Sequence, residues 1–362
     1  MVPRSLFRLL QCPTCQSRHL YVTADALHCA SCQSVYPIES GYIDLMPRQM
    51  AFDYRSKYVT EAAELAEELD YRDLAPPLLA AGVRNRALKR LLRFGPADIV
   101  LDNGCGNARF ATWNAQQVGL MVGSDPATLF ADDALARVAL AQADSRILPF
   151  ADGSFDKAFS IDILEHFPRH VIDAYLCETA RILKPGGQLL IFSNTREPSP
   201  IQPVIDISRH IGRFFVQLGW YDFQREARRK SDHLKALETW EDVEAAMQQA
   251  GLRPVRVIFW NSLFTTLVEH VLMKLGEALL GRTPRQRKLT SHNGSQHASG
   301  VQREIRARQR LRQPLQRKGV LYYGLQIITL LMELDLWLLG WMRCGSYFLV
   351  VEKPVSPRYT NQ

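Results

Sequence analysis

The sequence predicts an α/β fold: a doubly wound, mostly parallel seven-stranded sheet, preceded by a small cysteine-built module and interrupted by a helical insertion before its last strand. Three observations carry this. Short apolar segments alternate with helical ones from residue 97 onward, at the spacing of βαβ units. A glycine-rich turn follows the first apolar segment, and an aspartate ends the second about twenty residues later. Four of the seven cysteines sit in two tight pairs before residue 33.

The chain has 362 residues, 47% of them hydrophobic and 22% charged, which is room for a full α/β domain with additions. Its formal charge is +7, and the excess is concentrated in one late segment. Met1 to Leu10 carries basic residues and leucines, but Cys12 opens another pattern before a long apolar core can form. A cytosolic, reducing compartment is therefore expected.

Cys12-Pro-Thr-Cys15 and Cys29-Ala-Ser-Cys32 are two C-x2-C knuckles. Each can place two thiolates on one side of a tight turn, and two facing knuckles make the closed tetrahedral S4 site that zinc prefers. The alternation between His19 and His28 suits a β-hairpin, while both histidines are expected at the surface. So short a segment buries little apolar area, which leaves the metal to supply most of its folding energy. A redox dithiol needs only one such pair beside a βαβ unit, so structural zinc is the better reading. Together with Tyr36 to Met46, the knuckles resemble the zinc-ribbon module of tRNA and rRNA methyltransferase systems. This sets a zinc ribbon at 1–50.

Residues 51–96 read as a helical linker or lid, broken at Ala75-Pro-Pro77 and closed by Gly95-Pro96. Tyr54 and Tyr58 are weaker candidates for reaching a site from it. Then Asp98-Ile-Val-Leu-Asp-Asn-Gly-Cys-Gly runs as a strand into a glycine turn and a helix. Gly104 and Gly106 permit the turn and a close ligand approach. A second strand, Leu120 to Ser124, ends at Asp125, and a third leads to Asp144. Leu148 to Asp156, the strand Lys157 to Ile161 and Asp162-Ile-Leu-Glu-His166 follow. After a helix, Leu183-Lys-Pro-Gly-Gly187 turns into the strand Gln188 to Phe192.

In this order the blocks resemble the class I methyltransferases, specifically the UbiE-like (type 11) group, over about Asp98 to Asn194. The resemblance implies S-adenosylmethionine as cofactor. It implies that Asp102, Gly104 and Gly106 hold the methionine part, that Asp125 accepts from both ribose hydroxyls, and that Asp144 receives the adenine amino group with Ile147 over the ring. Asn103 departs from the usual small or apolar residue, and Asn107-Ala108 stands where a Thr-Gly pair is common. Taken alone, Asp102 also suits a turn and Asp144 a helix cap. A nicotinamide enzyme is disfavoured because the loop lacks the G-x-G-x-x-G spacing.

Methyl transfer needs an acceptor placed in line with the sulfonium, and a base if that acceptor is a hydroxyl or acidic carbon. Strand ends point to Ser160–His166 and Ser193–Arg196. His166 is the base chemistry would choose, against the plainer reading that Glu165 and His166 begin the next helix.

The core spans 97–260, with a helix from Thr239 to Gly251 and a strand from Val255 to Phe259. An insertion at 261–345 separates it from the last strand, Tyr347 to Glu352, and the tail (346–362). The insertion reads as an apolar helix (Ser262 to Leu280), a basic connection expected to be mobile (Arg282 to Lys318) and a second apolar segment (Val320 to Met342). Glu333 and Asp335 inside that segment cost about 2.5–3.5 kcal/mol each in hydrocarbon, so spanning a membrane is disfavoured. Two readings stand for the helices: packed on the core as a substrate cover, or dipping into a membrane interface. The basic connection suits anionic lipid, nucleic-acid phosphate or plain solvent. The acceptor expected is a hydrophobic or lipid-linked small molecule met by a cytoplasmic protein peripheral to the inner face of a membrane. The alternatives are an rRNA or tRNA base, with nucleic acid the less favoured partner, and a non-catalytic cofactor-binding scaffold.

Overall fold

The structure is a computed structural model and describes residues 2–48, 73–218, 223, 233–276 and 314–355. Tyr54, Tyr58 and most of the basic connection, 282–313, lie outside the described residues.

A short helix, α1 (Arg4–Phe7), leads into a small antiparallel sheet of β1 (Leu20–Val22), β2 (Ala26–Cys29) and β3 (Val35–Pro37). The expected hairpin is β1–β2, with Tyr21 opposite His28. The chain then enters the large sheet. After β4 (Tyr42–Asp44) and α2 (Leu79–Leu92) come β5 (Ile99–Asn103), α3 (Arg109–Asn114), β6 (Leu120–Asp125), α4 (Asp132–Arg137) and β7 (Ala139–Gln142). The second half runs β8 (Phe155–Ile161), α5 (Arg169–Ile182), β9 (Leu183–Asn194), α6 (Gln202–Gln217), α7 (Trp240–Gln249) and β10 (Arg253–Phe259). It ends with α8 (Leu263–Leu267), α9 (Val320–Leu339) and β11 (Ser346–Glu352).

The sheet order is β10-β11-β9-β8-β5-β6-β7-β4. Every neighbouring pair is parallel except those made by β11, which runs antiparallel to β9 and β10. The doubly wound α/β expectation holds, and the order reverses between β5 and β8, which opens a crevice at their C-terminal ends. The sheet has eight strands rather than the expected seven. The eighth is β4, which pairs with β7 and covers an edge that would otherwise expose unpaired backbone groups. Three residues with one buried apolar side chain, Ile43, were too short to read as a strand. Leu183-Lys-Pro-Gly-Gly187 lies inside β9 as a bulge opposite Phe155–Lys157.

β4 also ties the ribbon to the main core. Leu6, Leu10, Leu27, Tyr36 and Ile43 pack in one cluster with Ala141, Leu148 and Phe150. The Gln11 N–H donates to the Pro149 carbonyl (3.0 Å) and the Ala151 N–H to that of Leu9 (2.8 Å).

The Thr239–Gly251 helix is α7, with Thr239 and Asp242 forming a capping box. The first insertion helix begins as α8 and widens to π-type turns over Val268–Met273. α9 packs on α2 and α8, and α8 packs on α6. Gln326 and Glu333 meet Arg86, Thr329 Oγ1 accepts from the Leu79 N–H (2.8 Å), and Asp335 is fully buried. The polar residues that interrupt this apolar segment therefore form the face docked on the core. The opposite side is apolar and open: Tyr323, Ile327, Leu330, Trp337 (75% exposed) and Trp341 (79%). On α6, Val204, Ile207, Ile211, Phe214 and Leu218 form a second exposed apolar stripe.

Candidate active site and metal centre

β5 delivers Asp102 and Asn103 to the mouth of the crevice, and the chain turns at Gly104 (φ +82°) and Gly106 (φ +54°). A side chain at Gly104 would press to 2.8 Å from Ile163, so packing alone demands glycine there. At Gly106 a Cβ would meet nothing within 4 Å, so that position borders open space. The Gly104 and Cys105 N–H groups donate to the Ser124 carbonyl (2.8 and 3.0 Å), which ties the loop to the end of β6.

Asp125, the last residue of β6, accepts from the Gly106 N–H (2.7 Å) at one oxygen and from the Ala127 N–H (2.8 Å) at the other. The loop and its acid thus hold each other in place. Burial pushes the Asp125 carboxyl up to about 6. A carboxylate has about four acceptor positions, so two remain for ribose hydroxyls. Asp102 is also buried, and its Oδ2 has no hydrogen-bond partner among the described residues. Burial raises its carboxyl well above the usual range. An unpartnered carboxylate oxygen beside an open loop is what the amino group of a bound methionine moiety would satisfy, so these residues fit the implied cofactor.

The Asn103 departure has a local cause. Its amide reaches into the core, donating to Thr179 (3.2 Å) and accepting from Ser124 (3.2 Å) and Ser145 (2.9 Å). It joins β5, β6, α5 and the loop after β7 at one buried point. Ala108 takes the left-handed conformation (φ +58°) in which glycine is commoner.

Asp144 is buried, and Arg146 grips it at 2.8 Å (Nη2 to Oδ2), with its own N–H donating to Oδ1 at 2.9 Å. An adenine amino group would therefore share this carboxylate with an arginine, which the spacing did not foretell. Ile147 is half-buried in the same turn.

Glu165 and His166 do not begin the next helix. They end a 3-10 turn, Leu164–His166, and α5 starts at Arg169 after Pro168. Both are buried. Glu165 accepts from Ser193 Oγ (2.7 Å) and from the Asn194 amide (3.3 Å), and burial raises its carboxyl. The His166 ring stands edge-on to His233 with centroids 4.7 Å apart. Sequence reasoning missed His233, which has no periodic neighbours to mark it, and Arg84. The Arg84 guanidinium lies over Phe192 (4.8 Å) and Trp260 (5.2 Å) and reaches Asp162 at 3.5 Å.

In the ribbon, Cys12, Cys15, Cys29 and Cys32 converge, with Sγ–Sγ separations of 3.5 Å (Cys12–Cys32) and 3.6 Å (Cys15–Cys29). Tetrahedral zinc at ~2.3 Å from each sulfur needs separations of about 3.8 Å, so the thiolates fit the ion. Both knuckles repeat one bond pattern: Gln16 N–H to Cys12 C=O (2.7 Å) and Gln33 N–H to Cys29 C=O (2.9 Å). Tyr36 adds a hydroxyl 3.2 Å from the Cys12 sulfur. His19 and His28 stand outside the cluster, and His28 stacks on Tyr21.

Residues 101–191 match the sequence profile of a methyltransferase domain. The chain carries a class I methyltransferase domain. It is 34% identical over 126 residues to methyltransferase GfsG of Streptomyces halstedii, covering 32% of this chain and 45% of that protein. It is 29% identical over 179 residues to the 27-O-demethylrifamycin SV methyltransferase of Amycolatopsis mediterranei, covering 46% and 58%. The chain thus spans about half the length of these relatives. It is also similar to the Haemonchus contortus phosphoethanolamine N-methyltransferase 2 structure, at 20% identity and TM-score 0.43, covering 85% of this chain and 61% of that one. The profile ends inside β9, so the ribbon and the helical insertion lie outside the matched methyltransferase segment.

Proposed function

We propose that the chain transfers the methyl group of S-adenosylmethionine to a hydrophobic or lipid-linked small molecule, with zinc held structurally in the ribbon. Asp102, Gly104, Gly106, Asp125 and Asp144, with Ile147 beside them, hold the cofactor, whose sulfonium supplies the reactive methyl group. The acceptor enters where β8 and β9 end. His166 takes its proton if the nucleophile is a hydroxyl or an acidic carbon, leaving a methylated product and a neutral thioether.

The observation that carries the choice of acceptor is the apolar surface of α6 and α9, left open on two helices that both pack on α8. Contiguous exposed apolar side chains mark an interaction site, and Trp337 near the end of α9 and Trp341 just after it are the residue type that settles at a bilayer surface. The segment Arg282–Lys318 carries eleven Arg and Lys against one acid, Glu304, a balance that suits anionic head groups. These features support our reading of a protein peripheral to the cytoplasmic face of a membrane rather than spanning it. The names of the relatives include rifamycin, tRNA, sterol and fatty-acid methyltransferases, so they do not choose among acceptors.

The test is to incubate methyl-labelled cofactor and the protein with fractionated cell extract. Label is expected in the organic-extractable fraction, and Asp125→Ala should abolish it. Label in digested RNA would replace the acceptor class. Label in no fraction, with cofactor binding retained, would make the protein a scaffold.

A further inference from the structure

We propose that Glu165, His166 and His233 form a second metal site, for a divalent transition ion, at the acceptor end of the crevice. One ligand atom from each of the three lies within 4.8 Å of the others. Two imidazoles and a carboxylate are the donor set of zinc, iron and manganese centres that keep coordination positions open. The ribbon is a closed four-sulfur site, so the chain would hold two metal centres of different chemistry.

The surroundings are built as metal sites are built. Ser193 and Asn194, at the end of β9, donate to the two Glu165 oxygens and fix the carboxylate's orientation. His233 comes from a separate segment, and that segment is pinned to the same turn: the Lys235 N–H donates to the Glu165 carbonyl (3.0 Å), and Lys235 Nζ donates to the Thr195 carbonyl (3.2 Å). A buried carboxylate is costly without a countercharge, and a divalent ion beside Glu165 would supply it.

With an ion bound, His166 would serve as a ligand, so the base role proposed above belongs to the metal-free protein alone. The ion would then do the activating work, acidifying a hydroxyl that coordinates to it and releases its proton to solvent. That would select an oxygen nucleophile as acceptor. The site itself goes beyond the methyl-transfer reading, because its metal content is read with neither cofactor nor acceptor present.

The experiment is metal analysis of the full chain, stripped, reloaded with Zn2+ and dialysed. Two equivalents are expected in the wild type and one in His233→Ala and Glu165→Gln, with the ribbon ion retained in both. Glu165→Gln keeps the shape of the buried side chain, and circular dichroism establishes that each variant is folded. Loading with Co2+ separates the centres, since the thiolate site gives intense charge-transfer absorption that neither variant should change. One equivalent in the wild type, or two in both folded variants, would overturn the proposal. The three residues would then be a proton-handling cluster.

Discussion

Asp125 accepts two backbone N–H bonds, yet its carboxyl titrates near 6 because burial outweighs them. The folded value lies above the unfolded one of 3.8, so this group's stabilising contribution is fully present below about 4 and is lost as pH rises through 6. At neutral pH the ionised carboxylate costs the cofactor-free protein on the order of 3 kcal/mol. In the proposed role, ribose hydroxyls donate to the ionised form, so cofactor binding would offset part of that cost. We expect S-adenosylhomocysteine affinity to fall about tenfold per pH unit below 6, measured by calorimetry; a flat profile from pH 7 to 5 would count against the role. The sequence marked Asp125 by its distance from the loop. It could not mark Arg146 as the partner of Asp144, because that pairing depends on how the turn after β7 closes.

Asp335 sits in the middle of an apolar helix, where the sequence marks it only as an obstacle to spanning. In the fold it caps another helix: its two oxygens accept from the Phe264 and Thr265 N–H groups, both at 2.9 Å. These are N–H groups of the first turn of α8, which have no partners within their own helix. Asp335→Leu should therefore destabilise the protein by about 2–4 kcal/mol, through two orphaned donors, as read from denaturant unfolding. A change below about 0.5 kcal/mol would mean the cap is not formed. α6 teaches the opposite lesson. Its residues 204, 207, 211, 214 and 218 repeat at helical spacing, the usual mark of a core-facing stripe. Its buried side is instead Ile205, Ser208 and Gly212, where a Cβ on Gly212 would come within 3.3 Å of the His270 carbonyl. Small residues let α8 approach closely and leave the apolar stripe outside.

At the scale of the whole molecule, two additions flank one crevice-bearing sheet. The ribbon shares its apolar cluster and donates β4, so it is part of the domain's core as well as a metal site. The insertion docks through α9 on α2 and turns its apolar side outward. Burying one tryptophan side chain at an interface is worth about 1.5–3 kcal/mol. Flotation with phosphatidylglycerol-rich vesicles should therefore show binding that drops tenfold or more in the Trp337→Ser, Trp341→Ser double variant. It should also weaken with salt and on deletion of 282–313. Equal recovery of wild type and double variant with the vesicles would place the apolar faces against some other partner.

The sequence by itself determined the sheet's strands from β5 to β11, the glycine loop with its paired aspartates, and the four-cysteine site. All of these rest on local periodicity, turn chemistry and short fixed spacings. Gln326, Thr329 and Glu333 recur at helical spacing in the sequence, and the structure turns that spacing into the face of α9 docked on α2. The tertiary structure decided what long-range packing controls: the eighth strand, the Arg146 grip on Asp144, and the gathering of His233 with Glu165 and His166. Those contacts join segments with no shared pattern, so only the folded chain brings them together.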